Sequence, residues 1–173
     1  MILKIIGCIL IIASSTVMGY SAAYRFARRP EELRALQSAL QILESEIVFS
    51  VNPLAEAFER ISKNTSQSIG IIFKSTADLL KQKTGMTAQQ AWAISIKKCE
   101  SQMNLNKEDI EILLAFGSSL GCSDKDNQVK NIRLACSKLA MEEKKAEILK
   151  EKNERLYKNL GLLGGMLISL LLI

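Results

Sequence analysis

The stretch LRALQSALQILESEI, from Leu33 to Ile47, carries the clearest helical pattern in the chain. Its large aliphatic residues recur at alternating intervals of three and four, at Leu33, Leu36, Leu40, Leu43 and Ile47. Residues with this spacing lie on one side of a helix and form a continuous apolar stripe. Pro30 suits a first helical turn, where Glu31 and Glu32 would face the positive end of the helix dipole. We therefore predict an amphipathic helix that begins near Pro30.

A second and a third helix are expected after this one. Asn52-Pro53 interrupts the pattern, because proline disfavours a helical conformation for the residue before it. The Asn52 side chain is then the expected cap of a helix beginning at Pro53. A polar loop over residues 63–68 precedes a third helix, which ends near Gly85.

Cap patterns predict three more helices. Thr87-Ala-Gln-Gln90 and Asn106-Lys-Glu-Asp109 are capping-box patterns, and Gly121 suits the C′ position after the helix that Asn106 opens. Ser123 opens a sixth helix, whose charged continuation to residue 155 forms a stalk that runs into the last apolar stretch. No convincing alternating strand occurs, so the predicted fold class is all-α, a six-helix bundle. The side chains expected to face inward are Leu54, Phe58, Ile61, Ile69, Ile72, Phe73, Thr76, Leu80, Trp92, Ile96, Cys99, Met103, Ile110, Leu113, Leu114, Phe116, Leu120, Val129, Ile132, Cys136 and Leu139.

Both ends of the chain are apolar. Ile5 to Tyr24 is a run of twenty uncharged residues, and a helix of that length spans the roughly 30 Å of a bilayer's hydrocarbon. Leu160 to Ile173 is a shorter uncharged run that covers only roughly 21 Å as a helix. It becomes a span if the helix continues back through Leu156 and Tyr157, with Lys158 snorkelling to the interface, and if the membrane thins slightly. We predict a transmembrane helix over residues 1–24, the bundle with its stalk over 25–155, and a second transmembrane helix over 156–173.

The first apolar run has an alternative interpretation as a signal peptide, with Lys4 in the n-region and Ser21-Ala22-Ala23 at the cleavage site. The run is long for a signal peptide, and Arg25, Arg28 and Arg29 follow it. Basic residues beside a span usually stay on the cytoplasmic side, which places the bundle in the cytoplasm.

Small residues recur every fourth position in both apolar stretches. Such a ridge lets a second helix approach closely within a membrane. The positions are Ser15, Gly19 and Ala23 in the first stretch and Gly161, Gly165 and Ser169 in the second. With the bundle on the cytoplasmic side, the two ridges lie at matching depths. This predicts an antiparallel helix pair, within one chain or between neighbouring chains; the alternative is glycines tolerated in lipid-facing helices.

The residues do not point to catalysis. The chain has no histidine, which removes the commonest general base and metal ligand, and it lacks glycine-rich phosphate-binding motifs. Glu44 and Glu46 lie two residues apart, so they point about 200° away from each other on a helix and cannot share a proton or an ion. One is expected to face solvent, and the other to face a partner or cap a loop. We expect no enzyme activity, no cofactor, no metal, no small-molecule substrate and no nucleic-acid partner.

The stretch LESEIVFSVNPLAEAF, from Leu43 to Phe58, resembles the stage III sporulation protein AB family of endospore-forming bacteria. It is also similar to the helical domains of the inner-membrane platform protein of type II secretion and type IV pilus systems. Leu120 to Asp124, the charged stalk and LGLLGG from Leu160 to Gly165 extend the sporulation resemblance along essentially the whole chain. Glu44, Glu46, Pro53, Leu54 and Gly121 are its candidate interaction residues.

The resemblance implies a membrane component of a secretion-like channel that links mother cell and forespore. The bundle would face the mother-cell cytoplasm and dock a hexameric secretion-type ATPase as well as other channel proteins. Platform proteins have two helical domains and this chain has one, so their proposed rotation or pilin extraction does not carry over. The alternative is an adaptor with a signal peptide and a C-terminal anchor, whose bundle lies in the intermembrane space.

Overall fold

The computed structural model describes residues 2–49, 53–82, 84–121 and 124–172. The α-helices in chain order are α1 (Ile2–Phe49), α2 (Leu54–Lys63), α3 (Gln67–Lys81), α4 (Ala88–Cys99), α5 (Lys107–Gly117) and α6 (Lys125–Leu172), with a short 3₁₀ helix (Glu100–Gln102) after α4. These ranges contain no strand, so the predicted all-α fold is confirmed.

Two compact units divide the chain. One comprises Met1–Pro30 with Lys144–Ile173, and the other is Glu31–Glu143. The first unit therefore consists of the early part of α1 and the later part of α6. The second unit holds α2 to α5 and the remaining parts of the two long helices.

The predicted start of a helix near Pro30 is wrong, because α1 runs from Ile2 to Phe49 with Pro30 inside it. Proline removes the hydrogen bond that residue 30 would donate to the carbonyl of Phe26, and its ring crowds that carbonyl. Helix-forming residues on both sides outweigh this local cost and keep the helix continuous. For the last helix the expectation holds, because α6 continues through the charged stalk to Leu172 without a break.

Within the described residues, however, no helix has both the length and the apolar character needed to cross a membrane. The two transmembrane helices thus stay a prediction.

The core of the second unit follows the predicted stripes closely. Leu33, Leu36, Leu40 and Leu43 of α1 are fully buried, and α2 packs on α3, α3 on α4, and α4 on α5. Leu114 departs from the expectation, because it lies on the outer side of α5 and is exposed. Its neighbour Leu113 takes the inward position, since adjacent residues on a helix point about 100° apart.

Four aromatic side chains, one from each of α2 to α5, form the centre of this core. The Trp92 ring lies 5.7 Å from the Phe58 ring, 5.3 Å from Phe73 and 5.5 Å from Phe116 between centroids. Its indole N–H donates a 2.8 Å hydrogen bond to the carbonyl of Leu113, so the buried donor is satisfied. A Cβ at Gly117 would lie 2.2 Å from the indole Cδ1, so only glycine lets α5 come this close to Trp92. The predicted core role of Trp92 is confirmed.

The predicted capping boxes on α4 and α5 are both present. The Thr87 side chain accepts from the Gln90 backbone while the Gln90 side chain accepts from the Thr87 backbone, and Asn106 and Asp109 do the same. At α6, the Asp124 carboxylate accepts a 3.1 Å hydrogen bond from the Asn127 backbone N–H. Ser123, the predicted first residue of that helix, lies outside the described residues.

Candidate functional site

Glu44 and Glu46 each bind an arginine of the same chain. Both Nε and Nη2 of Arg133 lie 2.8 Å from Oε1 of Glu44, which links α1 to α6. Nη2 of Arg60 lies 2.5 Å from the Glu46 carboxylate, which links α1 to α2. The predicted divergence of the two acids is therefore seen, but the expectation that one faces solvent is wrong. The missing information was the position of the two arginines, which only the packing of α2 and α6 provides.

Further polar contacts join α1 and α6. Glu143 accepts a 2.7 Å hydrogen bond from Arg34 and a 2.6 Å one from Gln37. We call these contacts, together with the Glu44–Arg133 pair, the α1–α6 seam. The seam places three polar side chains of α1, Arg34, Gln37 and Glu44, against α6. Helix α1 therefore contributes these polar contacts as well as the buried leucines.

Glu32 of α1 is the most deeply buried carboxylate of that helix, with 3% of its surface exposed. Its two oxygens accept hydrogen bonds of 2.7 and 2.9 Å from the backbone and side-chain nitrogens of Asn104. This contact ties the segment between the 3₁₀ helix and α5 to α1. The predicted helix-dipole role of Glu32 does not apply, since α1 begins 30 residues before it at Ile2.

The remaining motif residues lie at helix ends. Pro53, the predicted first residue of α2, is exposed and takes the N-cap position instead, because α2 begins one residue later at Leu54. The Pro53 carbonyl accepts from the Glu56 backbone at 2.9 Å. Leu54 is half-buried. Gly121 adopts a φ of 75°, which favours glycine, but it follows the end of α5 by four residues of tight turn instead of occupying C′. Asn52, the predicted cap of α2, lies outside the described residues.

The small residues proposed for helix packing lie on the two long helices. Ser15 is half-buried on α1. Gly19 and Ala23 belong to α1, and Gly161, Gly165 and Ser169 to α6, but the surroundings of these five positions are outside what the structure describes. Their pairing stays a prediction.

A cleft of about 360 Å³ opens between α3 and α4. Lys74, Asp78 and Lys98 line it, and Cys99 lies at its wall. Burial raises the pKa of the Cys99 thiol, against a lowering influence of Lys98, so the thiol is protonated at neutral pH and a weak nucleophile. Burial and the Glu44 carboxylate likewise raise the pKa of Cys136. Over the described ranges, no group of three or more acids and cysteines is placed to hold a metal ion.

Exposed apolar side chains are features that the sequence analysis missed. Phe49, the last residue of α1, has 85% of its surface exposed, and Leu134 and Met141 on α6 are 54% and 60% exposed. Each lies out of phase with the buried stripe of its helix, which is the signal that could have identified them.

Comparison with known proteins adds to this geometry. The sequence profile described as stage III sporulation protein AB matches residues 4–173. The stage III sporulation protein AB of Bacillus subtilis (strain 168) is 38% identical over 170 residues, which cover 98% of this chain and 99% of that protein. A solved structure of a stage III sporulation protein AB superposes with a TM-score of 0.69 at 35% identity, covering 72% of this chain and 98% of the other. On these matches, the chain belongs to the stage III sporulation protein AB family.

Proposed function

We propose that this protein is a non-enzymatic membrane component of a secretion-like channel assembled during sporulation. The observation that carries the proposal is the family match from residue 4 to residue 173, which includes the helical unit and both apolar ends. In this proposal the chain is anchored in the mother-cell membrane over residues 1–24 and 156–173, and residues 25–155 face the mother-cell cytoplasm. The apolar sequences and the basic residues after the first of them support this arrangement.

A topology assay tests the arrangement. A cytoplasm-active reporter and an export-active reporter are each fused after Arg29. The proposal expects activity from the first reporter alone. Activity from the export-active reporter alone would instead support the signal-peptide adaptor with its bundle in the intermembrane space.

The internal contacts of the bundle support a docking role. The unit Glu31–Glu143 is held by a buried aromatic cluster and by ion pairs, so it offers a folded surface on which a partner can bind at a reduced ordering cost. We propose that its partners are other channel proteins and a secretion-type ATPase. Glu44 and Glu46 then hold the end of α1 in place through their arginines, while exposed Pro53 is available for contact.

Pull-down of the membrane-inserted full chain with its candidate ATPase tests this contact. We expect capture by the native chain and weaker capture by Pro53→Glu. A matched control is Gln89→Glu, because Gln89 is also exposed but lies on α4. Equal capture of both variants would argue against a contact at Pro53, and nucleotide turnover by the chain alone would contradict the non-enzymatic role.

In the membrane, we propose that the ridge of Ser15, Gly19 and Ala23 packs antiparallel against the ridge of Gly161, Gly165 and Ser169. Cysteines at positions 19 and 165, in a chain without its native cysteines, are expected to form a disulfide in membranes. Cysteines at 18 and 165 serve as the control, because adjacent helix positions point about 100° apart. Absence of the first disulfide in a well-expressed chain would count against the pairing.

A further inference from the structure

A shallow apolar groove runs between α5 and α6. Its volume is about 60 Å³, and it is lined mostly by apolar residues, with one amide and one lysine among them: Ile112, Ala115, Phe116, Asn131, Leu134, Ala135 and Lys138. Leu134 is 54% exposed here, and Met141, two turns further along α6, is 60% exposed. Exposed aliphatic side chains beside a groove are typical of protein contact surfaces.

The two rims of this α5–α6 groove carry opposite charges. Glu108 and Glu111 precede the lining residues Ile112 and Ala115 by one helical turn, so they stand on the α5 rim and are exposed. Lys138 stands on the α6 rim. Neither Glu111 nor Lys138 has a hydrogen-bond or ion partner among the described side chains.

A surface with an acidic rim, an apolar floor and a basic rim is complementary to itself. A two-fold axis parallel to the helices places the acidic rim of one copy against the basic rim of the other and keeps each residue at its own height. Ala115 and Leu134 are both among the middle residues of the groove lining on their helices, so we infer that Leu134 of one copy would meet the small Ala115 of the second. Glu111 lies one turn before Ala115 and Lys138 one turn after Leu134. Since α6 begins at Lys125, shortly after α5 ends at Gly117, and both helices line the groove, we infer that they run antiparallel, which brings these two charges to a shared height.

We propose that a second copy of this chain occupies the α5–α6 groove, forming a two-fold dimer in which Glu111 of each copy pairs with Lys138 of the other. The inference goes beyond the proposed function and draws on it in one respect only. Copies anchored in the same membrane share a direction, and this condition excludes a two-fold axis that lies in the membrane plane.

Cross-linking of the full chain in membranes tests the dimer. Two differently tagged chains lacking native cysteines are co-expressed, one with Ala115→Cys and one with Leu134→Cys. A disulfide between the two tags is expected. Its absence, with both chains present in the membrane, overturns the proposal.

Charge reversal sharpens the test. Lys138→Glu and Glu111→Lys are each expected to raise the dimer dissociation constant about tenfold, because the two-fold axis turns two attractive pairs into two repulsive ones. The double variant is expected to restore the dimer, and the control Lys97→Glu, an exposed lysine on α4, should leave it unchanged. Trp92 fluorescence checks that each variant is folded.

The possible failures are distinguishable. If neither charge reversal changes the dimer dissociation constant, the dimer is held together elsewhere, for example through the apolar ends, and the proposal is overturned. A monomeric native chain overturns it as well. A reversed membrane topology would contradict the proposed function but leave this dimer intact, because both copies would be reversed together.

Discussion

Helices α2 to α5 meet around four aromatic rings, whereas α1 and α6 are joined by the hydrogen bonds and ion pairs of the α1–α6 seam. The aromatic cluster is buried and fills its space to the point where one glycine cannot gain a methyl group. The seam is partly open to water, with Arg34 and Arg133 mostly exposed. In the aromatic cluster, the available volume therefore limits which substitutions are tolerated. In the seam, charge and solvent screening determine how strongly the contacts stabilise the fold.

The largest expected effect comes from Trp92→Ala, which removes the ring at the centre of the cluster. We expect a loss of about 4 kcal/mol in the free energy of unfolding, because a large cavity remains and the Leu113 carbonyl loses its donor. Denaturant unfolding followed by circular dichroism measures it. Ile94→Ala, at an exposed site on the same helix, is the control, and equal midpoints for the two variants would refute the central role of Trp92.

Gly117→Ala inserts a methyl group where the Trp92 ring stands. We expect a destabilisation of about 2 kcal/mol, since overpacking outweighs the gain in helix propensity of up to about 1 kcal/mol. Trp92 fluorescence during denaturation measures this change. Circular dichroism should show a smaller penalty in a Trp92→Phe background, because the five-membered ring that meets the new methyl is gone; an unchanged penalty would place the clash elsewhere.

Substitutions in the α1–α6 seam are expected to reduce the free energy of unfolding less than those in the aromatic cluster. Glu143→Ala removes the acceptor of both Arg34 and Gln37 and should reduce stability by about 1 kcal/mol. The difference from the native chain should shrink in high salt, since exposed charges are screened. Denaturation midpoints at low and high salt test this, with Glu143→Gln as the variant that keeps an acceptor oxygen. A salt-independent loss would indicate packing in place of charge.

The smallest effect belongs to an exposed network between α2 and α3. Hydrogen bonds from Lys81 and Lys63 lower the pKa of Glu59 from 4.5 to about 2. A pKa that is lower in the folded state stabilises the fold at pH values above the unfolded-state pKa. This contribution disappears as the pH falls from about 4.5 towards 2. The urea midpoints of the native chain and Glu59→Gln should therefore differ at about pH 6 and converge near about pH 2. A difference that stays constant down to about pH 2 would show that the Glu59 charge is not its cause.

Helix identity and helix caps were predictable because their causes are local. A three-four spacing determines which side of a helix is apolar, and Thr87 with Gln90 needs only three residues of chain to close a capping box. The same local reasoning failed at Pro30, where the choice between a helix start and a helix interior depends on the residues before it. It also failed at Leu114, because two adjacent leucines on α5 offer the same hydrophobicity and the packing of α4 chooses between them.

The candidate site residues were likewise predictable only where their causes are local. The divergence of Glu44 and Glu46 follows from helix geometry alone, but their arginine partners come from α6 and α2, 89 and 14 residues away along the chain. The self-complementary rims of the α5–α6 groove likewise required two helices side by side before Glu111 and Lys138 could be compared.

By itself, the sequence determined the all-α class, the helices and their caps, the apolar ends and the family resemblance, because periodicity, cap chemistry and composition act over a few neighbouring residues. Only the tertiary structure decided that α1 passes through Pro30, that Gly117 lies against Trp92, and which cation each acid binds. These outcomes depend on distances between residues that are remote in the chain, and such distances exist only once the helices have packed.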